Sequence, residues 1–309
     1  MISFEKLTKV FKTVVAVSEL SLAVADGEIF GLLGPNGAGK TTTLMMLCSI
    51  LKPTSGTIRV DHIDVRTEPE RVRSRLGIAF QEPVLDSRLT VERNLEFHAD
   101  ACRIPHDLKK QRIKEVLTYM DMWDSRNQKA GKLSGGMKKK VEDSKLFIQE
   151  PPVAIFDEPT AYLDVTSRLR VWKRIEGLKD HGSTVILATN MMDEAERLSN
   201  RLGILSKGKL AAMGTPASLK DALPRGDVIE ILLTGDTQVA IADLSKMAVV
   251  KQVIPLKPPN KLRLYVDHAE TNLPLIMDAL VKSGLRVDSV VVKEPSLDDV
   301  FLHCTGETL

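Results

Sequence analysis

The chain has 309 residues, of which 43% are hydrophobic and 27% are charged, and its formal net charge is +2 at pH 7. This composition is ordinary for a globular protein, and the length suffices for one large domain or two smaller ones. The near-neutral charge gives no reason to expect a nucleic acid or a membrane surface as a direct partner.

The sequence gives no sign of export or membrane insertion. Its first residues, MISFEKLTKVFK, carry charges where a signal peptide has its apolar core, and no apolar run approaches the roughly 18 residues that span a bilayer. Cys48, Cys102 and Cys304 lie far apart without metal-ligand spacing, so we interpret them as reduced thiols. We therefore expect a cytosolic chain that works at a membrane only through another chain.

The predicted strands are of two kinds. The first segments, ISFEKLTKVF and VSELSLAVADG, alternate apolar and polar residues, which predicts antiparallel strands. Later runs rich in Ile, Leu, Val and Ala predict buried strands of a parallel sheet, separated by segments of helical period. These runs are 28–33, 76–80, 153–157 and 184–189. The pattern favours an α/β fold.

A helical insertion is predicted within this α/β domain. Thr90 can cap a helix that follows it, and Pro105 interrupts the helical pattern. The next helix is expected to bury one apolar face, formed by Leu108, Ile113, Val116, Leu117 and Met120. We place the helical subdomain at about 83–145 within a domain over 1–219.

The pattern resets near the end of the chain. The segments VIEILL, KQVIPL, KLRLYV and RVDSVVV resemble strands, while NLPLIMDALVKSG and SLDDVFLHC resemble helices, the first ended by Gly284. We predict a small C-terminal α+β domain over 226–309.

The first buried strand leads directly into GPNGAGKTT, which fits the phosphate-loop pattern G-x-x-x-x-G-K-[ST]. Glycines let the backbone N–H groups wrap a phosphate, and the following helix adds the positive end of its dipole. The lysine would reach the β- and γ-phosphates, and the first threonine would ligate Mg²⁺. The residues expected to contact nucleotide are Gly34, Pro35, Asn36, Gly37, Ala38, Gly39, Lys40, Thr41 and Thr42.

Polar residues also follow the other buried strands. Asp157 ends the third strand and suits an Mg²⁺ site, and Glu158 follows it in position to activate a water. Gln81 follows the second strand and could reach the metal or the water, and Asn190 follows the fourth. Ligands of open α/β sheets bind beyond the carboxyl ends of the strands. In isolation, Asp157 and Glu158 could form an ordinary acidic turn and Gln81 could be a solvated loop residue, whereas we expect Asn190 to face the γ-phosphate.

A second anion-binding segment precedes the acidic strand. Ser134, Gly135 and Gly136 stand at the start of a predicted helix, with Ser134 23 residues before Asp157. One chain has no obvious internal use for two phosphate cradles. The two would meet if two chains packed head to tail, each closing over the ATP of the other.

The order and spacing of these motifs resemble the ATP-binding subunit of ABC transporters over roughly residues 1–219. The ending EPSLDDVFL and the segments LSGGM and MMDEAERL are similar to the drug-resistance and multidrug exporter subgroup. The resemblance implies a P-loop NTPase cassette, with parallel core sheet, antiparallel flanking strands and helical subdomain, plus the small C-terminal domain. It also implies ATP and Mg²⁺ as cofactors, a separate transmembrane permease, a second ATP-binding subunit in a homodimer or heterodimer, and no nucleic acid.

The resemblance assigns further roles. Phe11 occupies the place of the aromatic residue that stacks on adenine, although it could simply be a core residue of an edge strand. Asp164 corresponds to the aspartate that contacts the opposite subunit. The segment around Gln81 and the helices of 90–125 correspond to the surface that docks on the membrane subunit at the cytoplasmic face.

The sequence departs from the family at several positions. Asn190 replaces the usual histidine, so we expect nucleotide binding with slow hydrolysis, unless the asparagine substitutes adequately. Tyr162 replaces a small residue before Leu-Asp, and Asp143 and Lys145 stand where Ala and Arg are more common. Two alternatives to an exporter motor stay open, namely a nucleotide-gated regulatory protein with weak hydrolysis and a soluble ABC-type ATPase acting on nucleic acid or ribosomes.

Overall fold

The computed structural model describes residues 1–223, 227–235, 237–293 and 296–305. The chain divides into two compact units, Met1–Thr215 and Pro216–Leu309. The expected start of the C-terminal domain at residue 226 lies outside the described residues.

The first unit contains both kinds of strand and the helices between them. Its strands are β1 Ile2–Phe11, β2 Val14–Val24, β3 Ile29–Leu33, β4 Ser55–Val60, β5 Ile63–Asp64, β6 Leu76–Ala79, β7 Val153–Asp157, β8 Thr184–Thr189, β9 Arg201–Ser206 and β10 Lys209–Gly214. Its helices are α1 Lys40–Leu47, α2 Pro69–Arg73, α3 Val91–Ala101, α4 His106–Tyr119, α5 Gly135–Gln149, α6 Val165–Asp180 and α7 Met192–Leu198, with 3₁₀ turns at Trp123–Ser125 and Ala130–Lys132.

The central sheet has the order β10-β9-β3-β8-β7-β6. Its strands pair in parallel except β9 and β10, which are antiparallel. Every residue of β3, β7 and β8 is buried. Alternate residues face different clusters, since Phe156 and Leu187 enter one hydrophobic cluster while Ile155 and Ile186 enter the other. Two covered faces explain why these strands appear in the sequence as continuous apolar runs.

The predicted antiparallel strands are confirmed, because β1 pairs with β2 and β4 in a sheet of order β2-β1-β4-β5. Ile2, Phe4 and Leu7 of β1 pack into the same hydrophobic cluster as one face of the central sheet.

The helical part of this unit follows the predicted signals, with one exception. The Thr90 hydroxyl accepts a hydrogen bond from the Arg93 N–H at 3.2 Å and caps α3, and α4 begins directly after Pro105. Most of the predicted apolar face of α4 is buried in the cluster that also holds Phe147 of α5. The prediction for Leu108 is wrong, since its side chain is 37% exposed. Leu108 lies in the first turn of α4.

The second unit is an α+β arrangement, as predicted. Its elements are α8 Pro216–Asp221, β11 Asp227–Thr234, α9 Thr237–Leu244, β12 Val250–Leu256, β13 Lys261–Val266, α10 Ala269–Lys282, β14 Arg286–Lys293 and α11 Leu297–Thr305. The strands form an antiparallel sheet of order β12-β13-β11-β14. Gly284 has a φ of +74° and follows the end of α10. None of the helices in the described ranges of the chain has the length and apolarity needed to cross a bilayer.

Candidate active site

Two glycines of the loop between β3 and α1 lie where backbone atoms leave no room for a side chain. Gly39 has a φ of +103°, and a Cβ atom there would lie 2.5 Å from the carbonyl oxygen of Ala16. A Cβ atom at Gly34 would lie 2.4 Å from the carbonyl oxygen of Leu205. The loop therefore packs closely on β2 and β9 while it turns into α1, which aims the N-terminus of that helix at the space enclosed by the loop.

Lys40 is the first residue of α1 and is only 5% exposed. Its ammonium donates to the carbonyl oxygens of Gly34 at 2.7 Å and Pro35 at 3.3 Å, and it lies 3.3 Å from Oε1 of Glu158. Glu158 is itself 6% exposed and has a φ of +49°, a left-handed backbone that is strained for a residue with a side chain. A buried cation of the loop thus faces a buried carboxylate at the end of β7.

Thr41 and Asp157 join the loop to the end of the same strand. The Thr41 hydroxyl donates to Oδ2 of Asp157 at 2.8 Å. The other oxygen, Oδ1, is buried without a hydrogen-bond partner among the described residues, and burial raises the pKa of Asp157. A hydroxyl beside a carboxylate with a free oxygen suits a hard cation, because Mg²⁺ takes oxygen ligands. These residues therefore fit an Mg²⁺ ion.

A cavity of about 640 Å³ opens beside the loop. The ring of Phe11, at the end of β1, forms one wall; it is 43% exposed, and the ammonium of Lys9 lies 4.9 Å from its centroid. Gln81 and Glu158 line the same cavity with the loop. The complete lining is Phe11, Val14, Val15, Ala16, Pro35, Asn36, Gly37, Ala38, Gly39, Lys40, Thr41, Thr42, Gln81, Glu158 and Lys207. Phe11 is therefore not a buried core residue, which was the alternative to a nucleotide-binding role.

Asn190 follows β8 and contacts both the loop and the acidic strand end. Its backbone N–H donates to Oε2 of Glu158 at 3.4 Å, and its side-chain Nδ2 donates to Oδ1 of Asn36 at 3.4 Å. The polar residues after β3, β7 and β8 therefore meet at one edge of the sheet, with Gln81 after β6 beside them.

The predicted second anion-binding segment, residues 134–136, does not line this cavity. Ser134 caps α5 through a hydrogen bond that its Oγ accepts from the Met137 N–H at 3.3 Å. Asp164 caps α6 in the same way, accepting from the Ser167 N–H at 2.9 Å, and hydrogen bonds from Ser167 lower the pKa of Asp164. Both residues are exposed.

The surroundings of the two glycines in this segment differ. A Cβ atom at Gly136 would lie 2.8 Å from the carbonyl oxygen of Tyr162, whereas one at Gly135 would meet no described atom within 4 Å. Tyr162 itself has a φ of +66° and is 67% exposed. Packing within the chain therefore explains the glycine at 136, but it does not explain the one at 135.

One residue at the site was missed in the sequence. Lys139, the middle lysine of the run after Met137, is 0% exposed and donates to the backbone oxygens of Phe80 at 2.7 Å and Asp157 at 3.1 Å. The sequence did contain one signal for it. Asp143 follows Lys139 by four residues, so that a predicted helix places the two opposite charges on one face.

Two family models match the chain, one described as "ABC transporter" over residues 17–161 and one described as "ATP-binding protein DrrA1-3-like, C-terminal domain" over residues 214–305. The daunorubicin resistance ATP-binding protein DrrA2 of Streptomyces coeruleorubidus is 34% identical over 94% of this chain and 90% of its own length. The chain belongs to the ABC transporter family. Nod factor export ATP-binding protein I of Burkholderia pseudomallei (strain 1710b) is 35% identical over 100% of this chain and 98% of its own length.

Solved structures agree with this ABC assignment. The ATP-binding cassette MJ0796, solved as a dimer in a post-hydrolysis state bound to ADP and Pi, superimposes with a TM-score of 0.65 and 25% identity. The match covers 70% of this chain and 98% of the solved one. The chain is thus an ATP-binding subunit of the ABC type, with the ATPase cassette fold that the motif order predicts.

Proposed function

We propose that this chain is the motor subunit of an ABC exporter, which dimerises around ATP and hydrolyses it to drive transport through a separate permease. The observation that carries the proposal is the convergence of Lys40, Thr41, Asp157 and Glu158 at one edge of the sheet. No single motif would suffice, because each also occurs as an ordinary turn. Together they supply the cation, the metal ligands and the carboxylate that phosphoryl transfer to water requires.

The site residues take the following roles in this proposal. Phe11 stacks on adenine, residues 34–42 wrap the phosphates, and Lys40 contacts the β- and γ-phosphates. Thr41, Asp157 and Gln81 would hold Mg²⁺, which would supply positive charge that neutralises the phosphates. Glu158 orients and activates the attacking water, and Asn190 lies at the γ-phosphate.

The proposed dimer gives a role to the predicted site residues that do not line the cavity. Ser134, Gly135 and Gly136 would close over the ATP of a second ATP-binding chain, and Asp164 would contact that chain. The open space at Gly135 supports this arrangement, because an approaching phosphate needs room that a side chain would fill. The partner is either a second copy or a related chain. The bulk of Tyr162 and the asparagine at 190 favour pairing with a different ATP-binding chain, one that has the residues usual in the family at these positions.

The membrane partner is proposed from the relatives and from one apolar surface. The relatives are described as resistance and export ATP-binding proteins, which supports export and a location at the cytoplasmic face of the membrane. In the part of the chain that follows Gln81, Val84 is 62% exposed, Leu89 36% and Phe97 72%. A permease segment packing there would cover these side chains. We assign the cassette to 1–219 and an accessory domain to 226–309.

We further propose that hydrolysis at this site is slow, because Asn190 replaces a histidine donor. Its amide in this structure is directed to Asn36 of the loop. The loss of one preorganised donor costs on the order of 100-fold in rate. This residue also supports the alternative of a nucleotide-gated regulator, whereas the buried Glu158 supports hydrolysis.

Nucleotide binding and a single-turnover assay test the proposal. We expect the full chain to bind Mg-ATP, and Lys40→Met to weaken binding at least tenfold. Lys173→Met, at an exposed position of α6, is the matched control and should bind as the unmodified chain does. Release of one phosphate per ATP in a single turnover supports a motor, whereas unhydrolysed ATP in the presence of the permease would favour the regulator. Absence of ATP binding would overturn both.

A further inference from the structure

The feature that the proposed function leaves unused is a set of charged side chains on α5. This helix follows the Ser134 cap and ends at Gln149. We call residues 80–84 the Gln81 segment. Lys139, Glu142 and Lys145 all reach that segment from successive turns of the helix. Buried charges are costly unless they are paired or hydrogen-bonded, so their arrangement calls for a physical reason.

The contacts with the Gln81 segment lie at both of its ends. Lys139 donates to the Phe80 carbonyl oxygen at 2.7 Å, and the Phe80 N–H donates to Oε1 of Glu142 at 3.4 Å. At the other end, the Val84 N–H donates to Oε2 of Glu142 at 3.0 Å, and Lys145 donates to the Val84 carbonyl oxygen at 2.5 Å. Gln81 is therefore carried on a short segment whose two ends are bound to one helix.

Lys139 alone among these three extends the connection to the acidic strand end. Its ammonium also donates to the Asp157 carbonyl oxygen at 3.1 Å and lies 3.4 Å from Oδ1 of Asp143. Asp143 lies one turn further along α5, and both side chains are 0% exposed. One buried cation thus connects α5 with the residue before Gln81 and with the residue before Glu158.

We propose that Lys139 is a positioning residue, which fixes Gln81 and Glu158 relative to the helix that begins at Ser134. This inference rests on the proposed ATPase function and deepens it. In the dimer, α5 carries the segment that contacts the ATP of the partner chain, while Gln81 and Glu158 act on the chain's own ATP. Lys139 would therefore link the geometry of the two nucleotide sites, without itself touching either nucleotide.

The test must separate positioning from simple packing. The buried ion pair of Lys139 and Asp143 makes this possible, because both charges can be replaced together. Replacing both charges, as in K139M/D143L, leaves no unpaired charge in the core, and such replacements of buried pairs are often neutral or stabilising. We expect the double variant to unfold near the temperature of the unmodified chain and to bind ATP without Mg²⁺ with unchanged affinity, because Lys139 does not contact the phosphate loop. Its single-turnover hydrolysis rate should fall at least tenfold.

D143N is the matched control, because it removes the ion pair but keeps both carbonyl contacts of Lys139. We expect its rate to stay within threefold of the unmodified chain. K139Q/D143N restores a neutral donor at 139 and should recover part of the rate lost in K139M/D143L. An unmodified rate in K139M/D143L, or an equal loss in D143N, would overturn the proposal.

Hydrogen exchange of the nucleotide-free chain gives a readout independent of activity. In K139M/D143L, the amides of 80–84 and 158–161, apart from Pro83 and Pro159, which have none, should exchange at least tenfold faster, while those of β3 should be unchanged. Unchanged exchange at both segments would also overturn the proposal. If K139M/D143L does not fold, the same exchange measurement is made on K139Q/D143N. A failure of the unmodified chain to hydrolyse ATP would instead contradict the proposed function.

Discussion

The side-chain amide of Asn190 donates to Oδ1 of Asn36 at 3.4 Å, so the residue after β8 is bound to the phosphate loop. The Asn190 backbone N–H also donates to Glu158 at 3.4 Å. These contacts hold the end of β8 against the site, but they direct the amide to a neighbour that is not a phosphate. A longer hydrogen-bond donor at position 190 should instead reach the γ-phosphate and raise the rate of ATP hydrolysis.

Asn190→His should raise the rate of ATP hydrolysis by about tenfold to 100-fold, because imidazole extends further and restores a donor to the γ-phosphate. The measurement is steady-state phosphate release with the permease present. Asn190→Ala is the control, and it should hydrolyse no faster than the unmodified chain. No gain in Asn190→His would show that the asparagine already serves as an adequate donor.

Asp157→Asn should make nucleotide affinity insensitive to Mg²⁺. The amide removes the charge that the metal needs, while it can still accept the hydrogen bond from Thr41. We expect titrations without Mg²⁺ to give the same dissociation constant for both chains, and titrations with Mg²⁺ to differ at least tenfold. Equal strengthening by Mg²⁺ in both chains would remove Asp157 from the metal site.

Phe11→Ala should weaken ATP binding by about 1–3 kcal/mol, the range found for stacking of a base on an aromatic side chain. Phe11→Trp keeps an aromatic surface and should bind within threefold of the unmodified chain. Phe97→Ala is the control, since this ring is 72% exposed and lies on α3. Equilibrium dialysis with labelled ATP measures all three, and normal binding by Phe11→Ala would return Phe11 to a structural role.

Asp143 predicts a pH dependence of stability. Burial raises the pKa of this carboxyl from its ordinary value of 3.8 to about 7, despite the attraction of Lys139. The folded chain then holds a proton that the unfolded chain has lost, so this group lowers the free energy of unfolding as pH rises from 3.8 to about 7. Asp143→Asn lacks the titration. Its stability relative to the unmodified chain should therefore increase across this range and stay constant above it.

Urea unfolding at a series of pH values measures this difference. The gain should be on the order of 1–4 kcal/mol, since one pKa unit corresponds to about 1.4 kcal/mol. A difference that is flat from pH 4 to pH 8 would mean that Asp143 is ionised throughout.

The sequence predicted the strands and strand ends of this site well, because each carries a strong local signal. The runs at 153–157 and 184–189 correspond to β7 and β8 in full. Lys139 escaped prediction because lysine is almost never fully buried, and its burial depends on the carbonyl groups of Phe80 and Asp157, which are far from it in the sequence. Helix α9 also escaped, since only Ala240 and Leu244 of it are buried and its apolar pattern is weak.

The roles of Ser134 and Asp164 could not be judged from one chain. Within it both residues act as helix caps, which is a sufficient structural reason for either. Gly135 is different, because no atom of the described residues would lie within 4 Å of a Cβ atom there. Gly135→Val should therefore leave folding and ATP binding intact but prevent closure on a partner.

The central claim is that ATP is enclosed between the phosphate loop of one chain and residues 134–136 of another. Light scattering of Glu158→Gln with saturating Mg-ATP tests it directly, because blocked hydrolysis should preserve the closed state. We expect a two-chain mass with the nucleotide retained, which is twice the 34.1 kDa of one chain for a homodimer or the sum of both chains when a related ATP-binding chain is supplied. Adding Gly135→Val should return the mass to that of a single chain. A single-chain mass for Glu158→Gln with ATP bound, even with the permease and any second ATP-binding chain supplied, would contradict it.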